Sequence, residues 1–129
     1  MLGTFQQSHL RIEVDAPEQK IRDSLLCPGD FQQWLQLQRF SPGLPERLRV
    51  GTVFTSWLGP IAVQHHVEMV EPNGLRLIMN RGIDGFHEWY WGEGWVQSRL
   101  EGVSLLPLNL GQTVSLLNLR QFLTRSQPL

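Results

Sequence analysis

Leu10, Ile12 and Val14 alternate with Arg11, Glu13 and Asp15. That is the two-residue period of a strand with one buried face, and it runs back toward Phe5. Asp15-Ala16-Pro17-Glu18 supplies a proline suited to a first helical turn and an acid near the positive helix end, while Ile21, Leu25 and Leu26 recur at helical spacing. Pro28-Gly29-Asp30 punctuates this first short helix, and Asp30 opens a second that carries Phe31, Trp34, Leu35 and Gln38. Ser41-Pro42-Gly43-Leu44-Pro45 predicts a loop, because its two prolines cannot continue a helix.

Extended character resumes with Leu48, Val50, Thr52 and Phe54, turns at Gly59-Pro60 and continues through residues 61–71. Pro72-Asn73-Gly74 predicts a tight hairpin turn, with Asn-Gly taking positive φ angles, followed by a strand from Leu75 to about Arg81. Gly82-Ile83-Asp84-Gly85 reads as the next turn, then come an aromatic strand from Phe86 to Trp91, a Gly92-Glu93-Gly94 break and a strand to about Leu105. After Pro107, Leu110, Val114, Leu117 and Gln121 share one helical face, widened by Leu116, Leu119 and Leu123. This predicts a C-terminal helix of roughly four turns that stops before Ser126-Gln127-Pro128.

Strand, two short helices, about five more antiparallel strands and one long helix is an α+β order: about six strands with one apolar face, covered by the long helix. The Val14-Asp15-Ala16-Pro17 strand end, the Phe31-Gln32-Gln33-Trp34 segment, the strand from Leu48 to Phe54, the turn at Val70 to Leu75 and the leucine-rich terminal helix resemble the START-like superfamily, which includes polyketide cyclase/dehydrase and lipid-transport proteins. The resemblance spans nearly the whole chain and implies one helix-grip domain over residues 1–129: a curved antiparallel sheet gripping the C-terminal helix, with a cavity between them. The stretch between Trp91 and Pro107 leaves little room for a full final hairpin, which implies a small cavity.

A chain of 129 residues with no segment resembling a membrane span or secretory signal is expected to be a cytoplasmic single domain. Its net charge of −1 and scattered arginines give no nucleic-acid surface. Lys20 is the only lysine and sits in an exposed helical segment, which argues against Schiff-base chemistry. Cys27, the only cysteine, excludes an internal disulfide and a thiolate metal cluster and reads as a small, partly buried apolar residue. No GxSxG, HExxH, GxGxxG or P-loop spacing is present, Ser98 lacks a nucleophile's context, and Glu93 reads as a solvated turn acid.

Strand alternation assigns the inward side chains. It places Val50 and Phe54 inward from one strand; Val63, His65, Val67 and Met69 from the next; Leu77, Met79 and Arg81 from the third; and His87, Trp89 and Trp91 from the aromatic strand. Val114 and Leu117 face them from the helix. Such an apolar, aromatic lining with a few polar points suits a hydrophobic or aromatic small molecule, although the same residues would also build an ordinary core. His65 and His66 point to opposite faces, and alternation turns Glu88 outward, so no metal site or other cofactor is expected. Arg81 is the candidate partner for a ligand carboxylate or phenolate.

Three functions compete on these residues. The leading one is a non-catalytic carrier or sensor of a lipid- or polyketide-like molecule. The second is a cyclase- or dehydratase-like enzyme with His65 or His87 as acid/base. The third is a protein-interaction module with a filled core. The oligomeric state is not fixed by these patterns.

Overall fold

The computed structural model of the protein describes residues 2–125. In chain order it contains β1 (Thr4–Glu13), α1 (Glu18–Leu26), α2 (Pro28–Trp34), β2 (Arg39–Phe40), β3 (Val53–Leu58), β4 (Ile61–Glu71), β5 (Gly74–Arg81), β6 (Ile83–Gly92), β7 (Trp95–Ser104) and α3 (Leu108–Arg125). The seven strands form one antiparallel sheet in the order β1-β7-β6-β5-β4-β3-β2. Strands β2 to β7 make a meander, and β1 returns to pair with β7 along its whole length. Helices α1 and α2 therefore carry the chain from one sheet edge to the other. The result is the α+β arrangement that the order of elements predicts, in the helix-grip form that the resemblance implies, with the expected six strands raised to seven by the two-residue β2.

Three local features depart from simple alternation. Around the β4–β5 turn, Pro72 and Asn73 are the central residues and Gly74 is already paired with Glu71, one residue earlier than an Asn-Gly turn would be. Pro72 sets the φ of the first turn position, and Asn73 needs no positive φ. At Glu68 the β4–β5 register shifts by one residue between Val67 and Met69. Such a bulge reverses the side-chain parity beyond it. Finally, β7 is a full ten-residue strand, so the final hairpin that the sequence left little room for is complete.

Gly85 on β6 pairs with Gly102 on β7. A methyl group at Gly85 would sit 1.9 Å from the Glu101 carbonyl oxygen, so only glycine permits this approach. α3 rests on the β1–β7 side of the concave face and against α1 and α2. Its buried residues are Leu108, Gln112, Leu116, Leu119 and Leu123, a stripe rotated from the expected one. Leu117 is 48% exposed and Leu110 is exposed as well. The expected stop at Ser126 lies outside the described residues. The main core joins Ile21, Leu25, Leu26, Phe31 and Trp34 from the short helices to Val67, Leu75, Trp89, Trp91 and Val96 of the sheet. No described helix is long and apolar enough to cross a membrane.

Candidate functional site

Because α3 leans on β1 and β7, the inner faces of β3 to β6 are not filled by it. The structure has a hollow of about 390 Å³ there. Its sheet wall includes Ser56, Val63, Met79, Ile83 and Leu100, and its helix wall includes Leu108, Gly111, Gln112 and Val114. A smaller hollow of about 90 Å³ lies beneath α1 and α2, walled by Phe31, Trp34, Phe40, Phe54, Leu77 and Trp89. His65, His87, Ser115 and Gln38 line both.

Eight residues assigned inward from the sequence therefore reach these walls: Phe54, Val63, His65, Leu77, Met79, His87, Trp89 and Val114. Six do not. Val67 and Trp91 point inward but are consumed by the core. Val50 is 64% exposed because it lies in the turn before β3 rather than on a strand. Met69 lies beyond the Glu68 bulge, so Val70 takes the core-facing position and the Met69 methyl group comes near Gly74 on the other face. Arg81 takes a φ of 75° at the β5–β6 turn and is exposed, so the inward strand-end cation is absent. Leu117 is turned outward by the rotation of α3.

The two histidines are held in mirror-like settings. His65 stacks on Phe54 at 4.7 Å between ring centroids, with Ser56 Oγ 2.9 Å from Nε2, and its Nδ1 is buried without a partner among the described residues. His87 stacks on Trp89 at 4.5 Å, with Ser98 Oγ 2.6 Å from Nε2. Burial holds His65 down at about 4. Burial first, and the neighbouring His65 second, hold His87 down at about 3. Both rings are neutral near pH 7, since a buried imidazolium lacks the hydration that stabilises its charge.

Behind His87 runs a polar cluster that sequence patterning missed because Gln112 was not among the inward-facing positions it assigned to the C-terminal helix. Gln112 Nε2 donates one N–H to the Ser8 carbonyl at 3.0 Å and shares the other between the carbonyl and the Oγ of Ser98, at 3.0 and 2.9 Å. Ser8 Oγ donates to Gln112 Oε1 and accepts from Asn109 Nδ2 at 2.7 Å. Gln112 thus ties α3 to both β1 and β7. The two serines at alternating inward positions of neighbouring strands were the signal in the sequence, but a buried glutamine is legible only once its partners are in place.

On the convex face, Arg76 bridges Glu68 and Glu88 at 2.9 and 2.7 Å and lies over Phe86. Glu88 is thereby buried on the outer face, as alternation requires. Among the described residues no group of three or more His, Cys, Asp or Glu side chains is placed to hold a metal ion. Cys27 is half-buried and unpaired in a disulfide, and burial raises its thiol pKa, which leaves little thiolate. Glu93 is exposed, and its carboxylate accepts from the Glu18 amide at 2.9 Å, supplying the N-terminal cap that α1 lacks locally.

No protein-family model and no curated protein matches the sequence. Solved structures do share the fold. Protein CV1439 of Chromobacterium violaceum is 17% identical over 91% of this chain and 96% of its own, with a TM-score of 0.73. DynU16, a protein in the dynemicin biosynthetic locus, is 16% identical with a TM-score of 0.69; the match covers 95% of this chain and 48% of DynU16, so this chain spans about half its length. The Aha1 protein of Colwellia psychrerythraea, whose solution structure is a dimer, is 15% identical over 95% of this chain and 99% of its own, with a TM-score of 0.66. At such identities the likeness is one of architecture: the chain is an α+β helix-grip protein of the kind these structures share.

Proposed function

We propose that residues 1–129 act as one START-like domain that holds a hydrophobic small molecule between the sheet and α3 without covalent chemistry. The observation that carries this reading is the hollow of about 390 Å³, within the usual range of ligand sites and walled mainly by aliphatic side chains. A filled core, which a pure protein-interaction module would need, does not account for that space. Native mass spectrometry of protein purified from its own host tests the reading: a co-purifying apolar compound of defined mass supports it. Protein that comes through empty and fails to bind any apolar probe added afterwards would end it.

The second reading is a cyclase- or dehydratase-like enzyme, favoured by the presence of both histidines on the cavity wall. Their basicity argues against it. Imidazoles held at about 4 and about 3 are weak bases and are almost never protonated near pH 7, whereas acid/base catalysis is most efficient when the group titrates near the working pH. Replacing both by Gln separates the readings: a binding protein still takes up its occupant, with affinity reduced by no more than about tenfold, while an enzyme loses roughly 10²–10⁴ in rate.

A further inference from the structure

We infer that the occupant is an uncharged molecule with a carbonyl oxygen, or an equivalent hydrogen-bond acceptor, set between a small end group and a larger apolar body. This deepens the binding role proposed above and rests on it. The inference comes from what the two hollows share. All four residues common to both are polar: His65, His87, Ser115 and Gln38. The walls that belong to only one hollow are a mixture of aromatic rings and leucines on the small side and mainly aliphatic on the large side, with Ser56 and Gln112 as its polar members. A molecule spanning both places its ends in apolar surroundings and its middle against a polar waist.

The waist offers donors. Gln112 Nε2 faces two backbone carbonyls, which only accept, so the amide orientation is fixed. Ser98 Oγ accepts from that same nitrogen, and the acceptor within reach of its own hydrogen is His87 Nε2 at 2.6 Å. With Nε2 accepting, the neutral ring carries its proton on Nδ1. That N–H has no partner among the described residues, on a ring that lines both hollows. The Ser115 hydroxyl and the Gln38 amide likewise have no side-chain partner among the described residues. Gln112 is therefore a positioning residue: through Ser98 it sets which nitrogen of His87 is the donor.

The ligand's charge follows from the lining. Neither hollow has an Asp, Glu, Lys or Arg in its wall, and an ion moved into such surroundings loses its hydration without gaining a counter-ion. The small hollow of about 90 Å³ has room for about three water-sized groups at roughly 30 Å³ each, enough for a short end group.

Three probes of nearly one shape test this by tryptophan fluorescence titration, since Trp34 and Trp89 line the small hollow. 2-Acetylnaphthalene carries the carbonyl between a methyl group and a two-ring body, 2-ethylnaphthalene lacks the oxygen, and 2-naphthoate replaces the methyl ketone by an anion. The ketone should bind about tenfold more tightly than the hydrocarbon and at least about tenfold more tightly than the carboxylate. His87→Phe, which keeps a ring against Trp89, should bring ketone and hydrocarbon to within about threefold. Independently of any variant, the imidazole ¹⁵N shifts of the wild-type protein should report His87 protonated on Nδ1, and Gln112→Leu should mix the two tautomers. Equal affinity for ketone and hydrocarbon, or a wild-type His87 protonated on Nε2, overturns the inference while leaving apolar binding intact. Failure of all three probes to bind overturns the binding role and the inference together.

Discussion

His65 and His87 make the protein's stability fall with acid in a window that few other groups share. Each ring titrates near 6.5 when exposed in the unfolded chain but is held at about 4 and about 3, respectively, in the folded one. The folded values are depressed, so their contribution is fully present above pH 6.5. It is lost as pH falls, because the unfolded chain binds protons that the folded chain refuses. At pH 5 the unfolded rings are almost fully protonated and the folded ones are not, which costs about 2 kcal/mol per histidine. The pair together removes about 4 kcal/mol from a total that for a domain of this size is about 5–15 kcal/mol. Glu101, held down at about 2 chiefly by the hydrogen bond from His9, contributes stability that is present above its ordinary value and is lost only as pH falls below that value, beneath the window of the histidines.

Urea unfolding followed by tryptophan fluorescence at pH 7.5, 6 and 5 measures this directly. The midpoint should fall with pH while the slope stays constant, as expected when stability changes and the denatured state does not. The double variant His65→Gln, His87→Gln should be less stable than wild type at pH 7.5 yet nearly flat across the same range. A wild-type midpoint unchanged between pH 7.5 and 5, or a double variant losing the same 4 kcal/mol or so, would refute the claim that these rings are buried and neutral.

Further outcomes follow from single side chains. Gln112→Leu should cost about 2–4 kcal/mol in chemical denaturation, because it strips partners from the Ser8 and Ser98 groups that it leaves buried. Trp91 Nε1 is buried with no partner among the described residues, whereas Trp34 Nε1 donates to the Ser24 carbonyl at 3.0 Å. Trp91→Phe should therefore be the milder change by about 1 kcal/mol or more in a matched unfolding comparison. Gly85→Ala should destabilise by several kcal/mol or prevent folding, since its methyl group meets the Glu101 carbonyl, while Gly29→Ala, with open space around it, should stay within about 1 kcal/mol of wild type. Thermal unfolding by circular dichroism ranks the two.

Most of the architecture was legible before any coordinates. Period-two alternation, Pro-Gly punctuation and a long apolar tail are properties of a few consecutive residues, and they located the sheet, the short helices and α3 because burial of one face acts locally on each element. They also brought His65, His87, Trp89 and Met79 to the inner face, since β4, β5 and β6 keep regular alternation at those positions. What failed did so where a distant contact set the geometry. The Glu68 bulge reversed parity for Met69, a left-handed turn removed Arg81, and leucines on two opposite sides of α3 left the choice of buried face open in its sequence. That rotation was decided by a glutamine whose partners lie on two strands, one 104 residues away in sequence and the other 14. The same anchoring holds α3 to one side of the sheet, and so the existence of the hollow, unlike the existence of the sheet and helix that bound it, belongs to the tertiary structure alone.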